Sequence, residues 1–343
     1  MVLNAQSQNP VWVDSLDVQE VDNSIFSGDA YWRGADGASS IDLGDGRILW
    51  LFSDTFIDPK GTGSRSKSKM IRNSLAIQEG YDIGQSKMSF YYKGTKKNPE
   101  SFFKLPGETW FWTGHGTIVN DKLLIFLFEE MSVKTGLGFE AIGWYIVIVD
   151  NPYDDPLNWK MKYIKGPDTF GFIIGSSAVL ADSTYVYAYG VKEPNTHEVY
   201  LTRFEVQNLL GNNLQGIEWW INGRWVSNLT QEPSSSFLFV GQTEFSVHYQ
   251  RDINKFIQIQ TYGWEQASIG FRLAGKPEGP WSDFYLFYTP ELLDNDEFIY
   301  SANAHPEMHG DGIIITYNVN NSDFFKLLDN ERIYFPIIIK LTF

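Results

Sequence analysis

Two aspartates, Asp36 and Asp54, flank a pair of strand-like runs in RGADGASSIDLGDGRILWLFSDTF, which covers residues 33–56. Asp-Gly between two apolar runs predicts a tight hairpin. In an antiparallel pair the start of one strand lies beside the end of the other, so both carboxyl groups should meet at one end. Because like charges in one concave site repel, at least one of the two pKa values should rise. Such a pair suits acid/base chemistry on a neutral polyol or sugar.

The same hairpin pattern recurs, giving five copies along the chain. The turns are marked at similar intervals by Asp45, Asp121, Asp182, Asp252 and Asp311. A third strand candidate follows each hairpin, and a fourth, more polar one follows in four of the repeats. The fifth repeat, whose first strand is assigned to HPEM at residues 305–308, runs out of chain before a fourth strand can form.

Radially repeated four-stranded units predict a β-propeller. We therefore expect one all-β domain over residues 1–343, a five-bladed β-propeller with four-stranded blades. The N-terminal run VWVDSLDV would supply the strand that the last blade lacks. The alternative is two β-sandwich domains, which accounts less well for the five-fold count and the missing strand.

In a propeller the first strand of each blade lines the central channel, so residues at one set of strand ends meet at a mouth. The acids that we expect to carry the chemistry there are Asp36, Asp54 and Glu244. The residues that we expect to bind substrate are Trp32, Arg72, Asn73, Trp112, His115, Glu129, Trp264, His305 and Asn318. The same strand ends and loops also include Glu130, Glu193 and His197.

Several of these features have a second interpretation. An aspartate at a strand end also serves as a turn or capping residue. His305 is a buried channel histidine, a water-mediated ligand of a central ion such as calcium, or a substrate contact. The basic segment KGTGSRSKSKMIR, residues 60–72, is either a lid over the mouth or a solvated loop.

Composition excludes several function classes. A net charge of −15 argues against a nucleic-acid partner, and the absence of cysteine excludes disulfides and thiol nucleophiles. No Walker, GxSxG, HExxH or EF-hand motif occurs, so we expect no cofactor and no dedicated metal site. No apolar run reaches the roughly 18 residues of a membrane helix. The N-terminus shows no signal peptide, so a secreted or periplasmic location requires that a signal was trimmed.

Several motifs of the chain resemble a bacterial family of five-bladed propellers that was long catalogued as a domain of unknown function and includes endo-D-arabinofuranases. They are GDGRILWLFSDTF, RNSLAI, TEFSVHY, HPEM with IIITYNVN, and IYFPIIIKL, and they span nearly the whole chain. The family is similar in architecture to arabinanase, xylosidase and sucrase-type propellers, which place acids from different blades at the channel mouth. By this resemblance Asp36 and Asp54 match the acidic positions of the first blade, and Glu244 matches one in the fourth. Ser53 departs from the glycine that is more frequent in the family.

We therefore expect a glycoside hydrolase that acts on a furanoside or related polysaccharide through two carboxyl groups. Asp54 is assigned the base or nucleophile role, Glu244 the acid role, and Asp36 the task of orienting water or tuning its partner's pKa. The expected partner is an oligo- or polysaccharide, and the sequence does not predict the oligomeric state. Two alternatives stay open: a non-catalytic carbohydrate-binding propeller, and an interaction scaffold that uses the outer face.

Overall fold

The computed structural model describes residues 16–193, 196–233, 237–263 and 267–343. The described chain is mostly β-strand, as predicted, and its helices are short: α1 (Ser24–Ser27), α2 (Val206–Leu210) and α3 (Phe324–Asp329). Single 3₁₀ turns cover Arg65–Lys67, Pro156–Asn158 and Arg251–Ile253. No helix within the described ranges is long and apolar enough to cross a bilayer.

Residues 16–100 contain the first four-stranded sheet, the N-terminal strand and several small pieces. In chain order the strands are β1 (Asp17–Val21), β2 (Trp32–Ala35), β3 (Ser39–Asp42), β4 (Arg47–Phe52), β5 (Thr55–Ile57), β6 (Lys69–Ile71), β7 (Ser74–Glu79), β8 (Lys87–Tyr91), β9 (Lys93–Gly94) and β10 (Pro99–Glu100). Strands β3, β4, β7 and β8 form the first sheet, and β9 pairs with β10. A separate sheet of β2, β5 and β6, which was not predicted, extends beyond the first hairpin.

The second and third sheets follow in the same order of strands. Their strands are β11 (Trp110–Val119), β12 (Lys122–Ser132), β13 (Phe139–Val149), β14 (Met161–Lys165), β15 (Phe172–Ala181), β16 (Tyr185–Lys192), β17 (Glu198–Glu205), β18 (Glu218–Ile221), β19 (Arg224–Ser227) and β20 (Phe239–Val240). The second sheet contains β11 to β14, as the repeat predicts. The third is larger than predicted, because β19 continues the sheet beyond β18 and β20 also pairs with β17.

The fourth and fifth sheets complete the chain. Their strands are β21 (Ser246–Gln250), β22 (Lys255–Tyr262), β23 (Ser268–Ala274), β24 (Tyr285–Tyr288), β25 (Glu297–Ala304), β26 (Ile313–Asn321) and β27 (Ile337–Thr342). The assignment of the fifth repeat's first strand to HPEM is wrong, since that strand is β25 and ends before His305. A register shift between Tyr300 and Asn303, with Ser301 at φ +55°, breaks the alternating pattern that would have revealed β25.

The N-terminal strand β1 completes the fifth sheet, as expected for the missing strand. It pairs antiparallel with β27, from Asp17 opposite Thr342 to Val21 opposite Ile338. The order of this sheet is therefore β25, β26, β27 and β1. The predicted closing run also included residues 11–15, which lie outside the described residues.

Central strands bury both of their faces between neighbouring sheets. In β4, Trp50 and Phe52 pack in one apolar cluster with Ile338 of the fifth sheet, whereas Leu49 and Leu51 pack on the opposite face with the second sheet. Further clusters join the second sheet to the third, the third to the fourth, and the fourth to the fifth. Because both faces are covered, these strands have continuous apolar sequences rather than alternating ones.

The first strands of the five sheets, or residues next to them, contact one another in chain order, and the fifth contacts the first. The hydrogen bonds that join them are Ser39 Oγ to Gly114 O, Val179 N to His115 Nδ1, Ser177 Oγ to Thr243 O, Ala304 N to Ser246 Oγ, and Ser301 Oγ to Gly37 O, each 2.8–3.1 Å long. Hydrogen bonds therefore link the first strands β3, β11, β15, β21 and β25, or residues next to them, in chain order, and link the last of them to the first.

Arg65, in the basic segment at residues 60–72, is fully buried and ties this segment to the fifth repeat. Its guanidinium lies 5.3 Å from the ring centroid of Phe335. It donates hydrogen bonds of 2.5–3.0 Å to the carbonyl oxygens of Arg33, Leu327, Asn330 and Ile333. At Arg65 the segment is therefore neither a lid nor a solvated loop, the two interpretations that the sequence left open.

We predict that Arg65→Met lowers the free energy of unfolding by about 3 kcal/mol or more, because several carbonyl groups lose a charged donor while they stay buried. Urea denaturation of the variant and the wild type measures the change. Lys67→Met is the matched control, since Lys67 is exposed and lies in the same 3₁₀ turn. Equal losses in the two variants would contradict an anchoring role for Arg65.

Candidate active site

The backbones of Asp36 and Asp54 are hydrogen-bonded to each other beyond the end of the first hairpin. The Asp36 N–H donates to Asp54 O at 3.3 Å, and the Ser53 N–H donates to Asp36 O at 2.9 Å. Asp36 then leads into a turn in which Gly37 adopts φ +89°, a region that favours glycine. The structure thus brings together the two aspartates that the sequence places 18 positions apart.

Asp54 is surrounded by groups that stabilise its ionised form. Arg72 Nη1 lies 3.2 and 3.0 Å from the two carboxylate oxygens, and Trp112 Nε1 donates to Oδ1 at 2.9 Å. Burial is the largest influence and leaves the pKa of Asp54 above its ordinary value, although the charge of Arg72 and the hydrogen bond from Trp112 lower it. The Arg72 guanidinium itself stacks 4.3 Å from the ring centroid of Trp110. Two of the predicted substrate-binding residues, Arg72 and Trp112, therefore donate hydrogen bonds to Asp54.

Asp36 has a different environment from Asp54. Its Oδ2 accepts hydrogen bonds from the hydroxyls of Tyr300 at 2.8 Å and Tyr334 at 3.1 Å. Its Oδ1 is buried and has no hydrogen-bond partner among the described residues. Burial raises the pKa of Asp36 well above its usual range, and the charges of Asp54 and Glu244 raise it further. Of the two aspartates, Asp36 is therefore the one whose protonated form is more strongly favoured.

Glu244 reaches the same place from the loop before the fourth sheet. A β-carbon on Gly37 would lie 3.7 Å from Glu244 Oε1, so this carboxyl group borders the Asp36 turn. Burial raises the pKa of Glu244 to about 7, while a hydrogen bond with Ser301 acts in the opposite direction. The three acids predicted to carry the chemistry, from the first and fourth repeats, are thus close enough for their charges to interact.

The loop between β16 and β17 adds a fourth acid, Glu193. Its carboxylate accepts a hydrogen bond from the Thr243 hydroxyl and is paired with His197 Nε2 at 2.9 Å. The hydrogen bond with Glu193 raises the pKa of His197. The charge of Glu193 in turn raises the pKa of Glu244, so this loop is electrostatically part of the site.

Glu129 and Glu130 are adjacent in β12 but have separate roles, because successive side chains of a strand point to opposite faces. Glu129 accepts a hydrogen bond from Thr109 at 2.9 Å and forms an ion pair with Lys165 at 3.2 Å. Glu130 is 2% exposed, and its pKa rises to about 8, first through burial and then through the charges of Glu193 and Asp54. Sequence reasoning placed Glu129 at the substrate, whereas the structure couples Glu130 to the acid cluster.

Three other residues that were predicted to contact substrate are fully buried and form hydrogen bonds inside the protein. Trp32 donates to Ser74 Oγ at 3.2 Å within the core. Asn73 bonds the backbone of Phe103 through both its amide nitrogen and its amide oxygen. Asn318 donates to the carbonyl oxygen of Ala35 at 3.0 Å and so fixes the peptide that precedes Asp36. Trp264, a further predicted contact, lies outside the described residues.

His115 and His305 lie along the inner strands rather than beside the two aspartates. His115 accepts from the Val179 N–H at 3.1 Å and donates to Ser40 O at 3.1 Å, which links three neighbouring sheets. His305 lies 2.5 Å from Ser40 Oγ and 2.8 Å from Thr316 Oγ1. Burial lowers the pKa of His115 to about 4 and that of His305 to about 3. Both are therefore neutral side chains that cross-link strands.

A cavity of about 250 Å³ opens among the first strands of the sheets. Its lining includes Asp42, His115, His248 and Glu307, and it includes none of the three acids at the first turn. Within the described ranges, no group of three or more His, Asp or Glu side chains is arranged to hold a metal ion. This cavity is thus separate from the acid cluster at the other end of the first hairpin.

Sequence comparison matches residues 21–341 to the family described as Domain of unknown function (DUF5005). The chain belongs to this family. No curated protein matches the chain. Its membership of DUF5005 gives no activity, so the function has to be inferred from the site and the fold.

The fold of this DUF5005 chain is similar to those of several solved structures. A candidate hydrolase from Bacteroides ovatus superposes with a TM-score of 0.76 at 18% identity, over 99% of this chain and 93% of that one. An endo-arabinase from Bacteroides thetaiotaomicron gives 0.50 at 14% identity, over 90% and 94% of the two chains. The catalytic domain of a GH62 α-L-arabinofuranosidase from Coprinopsis cinerea gives 0.50 at 13%, over 91% of each. At these identities the likeness shows the fold alone.

Sequence reasoning missed Tyr300 and Tyr334, which hold Asp36. Tyr300 was overlooked because the first strand of the fifth repeat was assigned to HPEM, downstream of it. The run EFIYSANA carries the missing signal, since Phe298 and Tyr300 are two aromatic residues at a spacing of two. Tyr334 lies between α3 and β27 with φ +64°, and no local pattern points to its contact with Asp36.

We predict that Glu244→Gln stabilises the protein at pH 8 more than at pH 5. The pKa of Glu244 is about 7 in the folded protein, against an ordinary value of 4.5. Between pH 4.5 and about pH 7 the folded state holds a proton that the unfolded chain has released. The free energy of unfolding therefore falls as pH rises through this window, by about 1.4 kcal/mol for each pH unit. Glutamine removes this dependence, which thermal melts at the two pH values measure.

Glu108→Gln is the control for this measurement, because Glu108 is exposed. We expect its melting temperature to follow that of the wild type at both pH values. An equal effect of Glu244→Gln at pH 5 and pH 8 would show that Glu244 does not hold a proton in this window.

Proposed function

We propose that the five sheets are the blades of a five-bladed β-propeller and that the chain is a glycoside hydrolase. The hydrogen bonds that link the five first strands in chain order and the apolar clusters between successive sheets support the architecture. The observation that carries the function is the pair Asp36 and Asp54, which are neighbours in space and differ in their partners. Asp54 is paired with a guanidinium and an indole N–H, and Asp36 only with tyrosine hydroxyls. Two carboxyl groups whose surroundings separate their protonation states are the arrangement that glycoside hydrolysis requires.

In this proposal Asp54 acts as the base or the nucleophile. The charge of Arg72 and the hydrogen bond from Trp112 favour its ionised form. Glu244, with a pKa of about 7, is the acid that donates a proton to the leaving glycosidic oxygen. Asp36, whose protonated form is favoured by burial and by the neighbouring carboxylates, orients the water or the sugar, and its charge state tunes the pKa of its neighbours.

The proposed substrate is a neutral, furanoside-type polysaccharide. Solved structures of similar fold include an endo-arabinase and an α-L-arabinofuranosidase, and motifs of the chain resemble those of a family that includes endo-D-arabinofuranases. The mouth adds indole rings on which sugars stack, from Trp110 and Trp112. The acid cluster disfavours a uronic acid, since its carboxylate would meet like charges.

A non-catalytic carbohydrate-binding propeller is the second candidate. The observation that favours it is the ion pair of Arg72 with both oxygens of Asp54, which also satisfies this carboxylate without any substrate. An enzyme and a binding protein of this kind share the aromatic mouth, and they differ in whether Asp54 performs a chemical step.

We predict that the protein hydrolyses at least one member of a panel of L-arabinan, D-arabinan, fructan and xylan. Asp54→Asn and Asp36→Asn should each reduce kcat/KM on that substrate by a factor of about 100 or more, since each removes a carboxyl group from the reaction. Release of reducing sugar measures the rate.

Asp45→Asn is the matched control, because Asp45 is an exposed turn residue at the far end of the same hairpin, paired with Arg47. We expect it to keep wild-type activity. Binding of a glycan without any hydrolysis would support the second candidate. Activity that survives both Asp36→Asn and Asp54→Asn would refute the assignment of the catalytic pair.

A further inference from the structure

Two buried polar atoms at the mouth end of the β11–β12 hairpin have no hydrogen-bond partner among the described residues. They are Nε1 of Trp110 and Oε2 of Glu130. The two residues are directly opposite each other in the register of the hairpin, so their side chains lie on the same face. Buried polar atoms in folded proteins are nearly always satisfied, and an exception calls for a ligand or a bound water.

This face of the hairpin points to the catalytic pair. Trp112, two residues after Trp110 on the same strand, shares the face and donates its indole N–H to Asp54. The Arg72 guanidinium lies over the Trp110 ring and binds the same carboxylate. The two unsatisfied atoms are therefore adjacent to the groups that hold Asp54.

The chemistry of the two atoms matches a hydroxyl-bearing ligand. Burial, followed by the charges of Glu193, Asp54 and Glu140, raises the pKa of Glu130 to about 8. At neutral pH this carboxyl group is mostly protonated and can both donate and accept a hydrogen bond, while the Trp110 indole only donates. A sugar hydroxyl also donates and accepts, so adjacent hydroxyls of one sugar ring complement both atoms.

We infer that Trp110 and Glu130 form a sugar-binding subsite beside Asp54, which takes the hydroxyl groups of a neutral glycan residue. The nature of this ligand rests on the proposed function. The subsite orients the glycan residue next to the bond that is cleaved and takes no part in proton transfer itself.

The carboxyl group of Glu130 should lower the stability of the protein in the absence of a ligand, because a buried polar group without a partner is unfavourable. A residue that serves only the fold would have the opposite effect. Replacing Glu130 by an apolar residue of similar size should therefore raise the melting temperature and weaken glycan binding. This combination distinguishes a binding residue from a structural one.

The test compares Glu130→Leu, Glu130→Gln and Trp110→Phe with the wild type, and Glu108→Gln is the control, because Glu108 is exposed just before the same hairpin. Binding of oligosaccharides from L-arabinan, D-arabinan, fructan and xylan is measured by calorimetry at pH 7, and KM and kcat are measured on any polymer that is cleaved. We expect Glu130→Leu to weaken binding at least about tenfold, with a higher melting temperature. Glu130→Gln, whose amide also donates and accepts, should stay within about threefold of the wild type. Trp110→Phe should weaken binding about fivefold, and Glu108→Gln should not change it.

The outcomes separate this inference from the proposed function. Binding that is weakened in Glu130→Leu and Trp110→Phe, with no hydrolysis by the wild type, supports the subsite and refutes the enzyme. Hydrolysis with unchanged binding in both variants refutes the subsite and leaves the enzyme standing. Failure of the wild type to bind any of the oligosaccharides, or a loss in Glu108→Gln as large as that in Glu130→Leu, also overturns the inference.

Discussion

The pairing of β1 with β27 is the contact on which the candidate site depends. It places the N-terminal strand at the edge of the fifth sheet and so brings the first and fifth sheets together. Asp36 comes from the loop before the first sheet, yet the hydroxyls that hold its carboxyl group come from Tyr300 and Tyr334 in the fifth repeat. Arg65 joins the same two parts of the chain. The position of Asp36 is therefore fixed by contacts between the first and fifth repeats.

Burial separates the properties of carboxyl groups that are chemically alike. Asp54 keeps an arginine and an indole N–H against its oxygens, which favours the anion. Asp36 receives only tyrosine hydroxyls and lies beside other acids, so its pKa is raised well above its usual range. Glu130 and Glu244 are buried with little compensation and also have raised pKa values. Buried carboxyl groups of this kind reduce the stability of the protein, and the apolar clusters between the sheets offset this cost. Functional sites frequently lower stability in this way.

The histidines show how the same interior serves a structural purpose. His115 and His305 are neutral, use both ring nitrogens in hydrogen bonds, and connect first strands of different sheets. The inner strands carry backbone N–H and C=O groups that need hydrogen-bond partners, and polar side chains of neighbouring strands supply them. Asp36 and Asp54 lie beyond the end of the first hairpin, where the pairing of β3 with β4 has stopped. Their side chains are therefore not used to connect strands.

The sequence alone determined the repeat, the mostly β fold and the strand pairings of four repeats, because hairpin turns and apolar runs are local signals. It also determined that Asp36 and Asp54 are neighbours, since one hairpin joins them. It could not reveal β25, where a register shift breaks the pattern, or distinguish Glu130 from Glu129. Only the tertiary structure decided which acids share a site and which aromatic groups hold them. Those contacts join residues from different repeats, and their energies depend on burial, which no local pattern encodes.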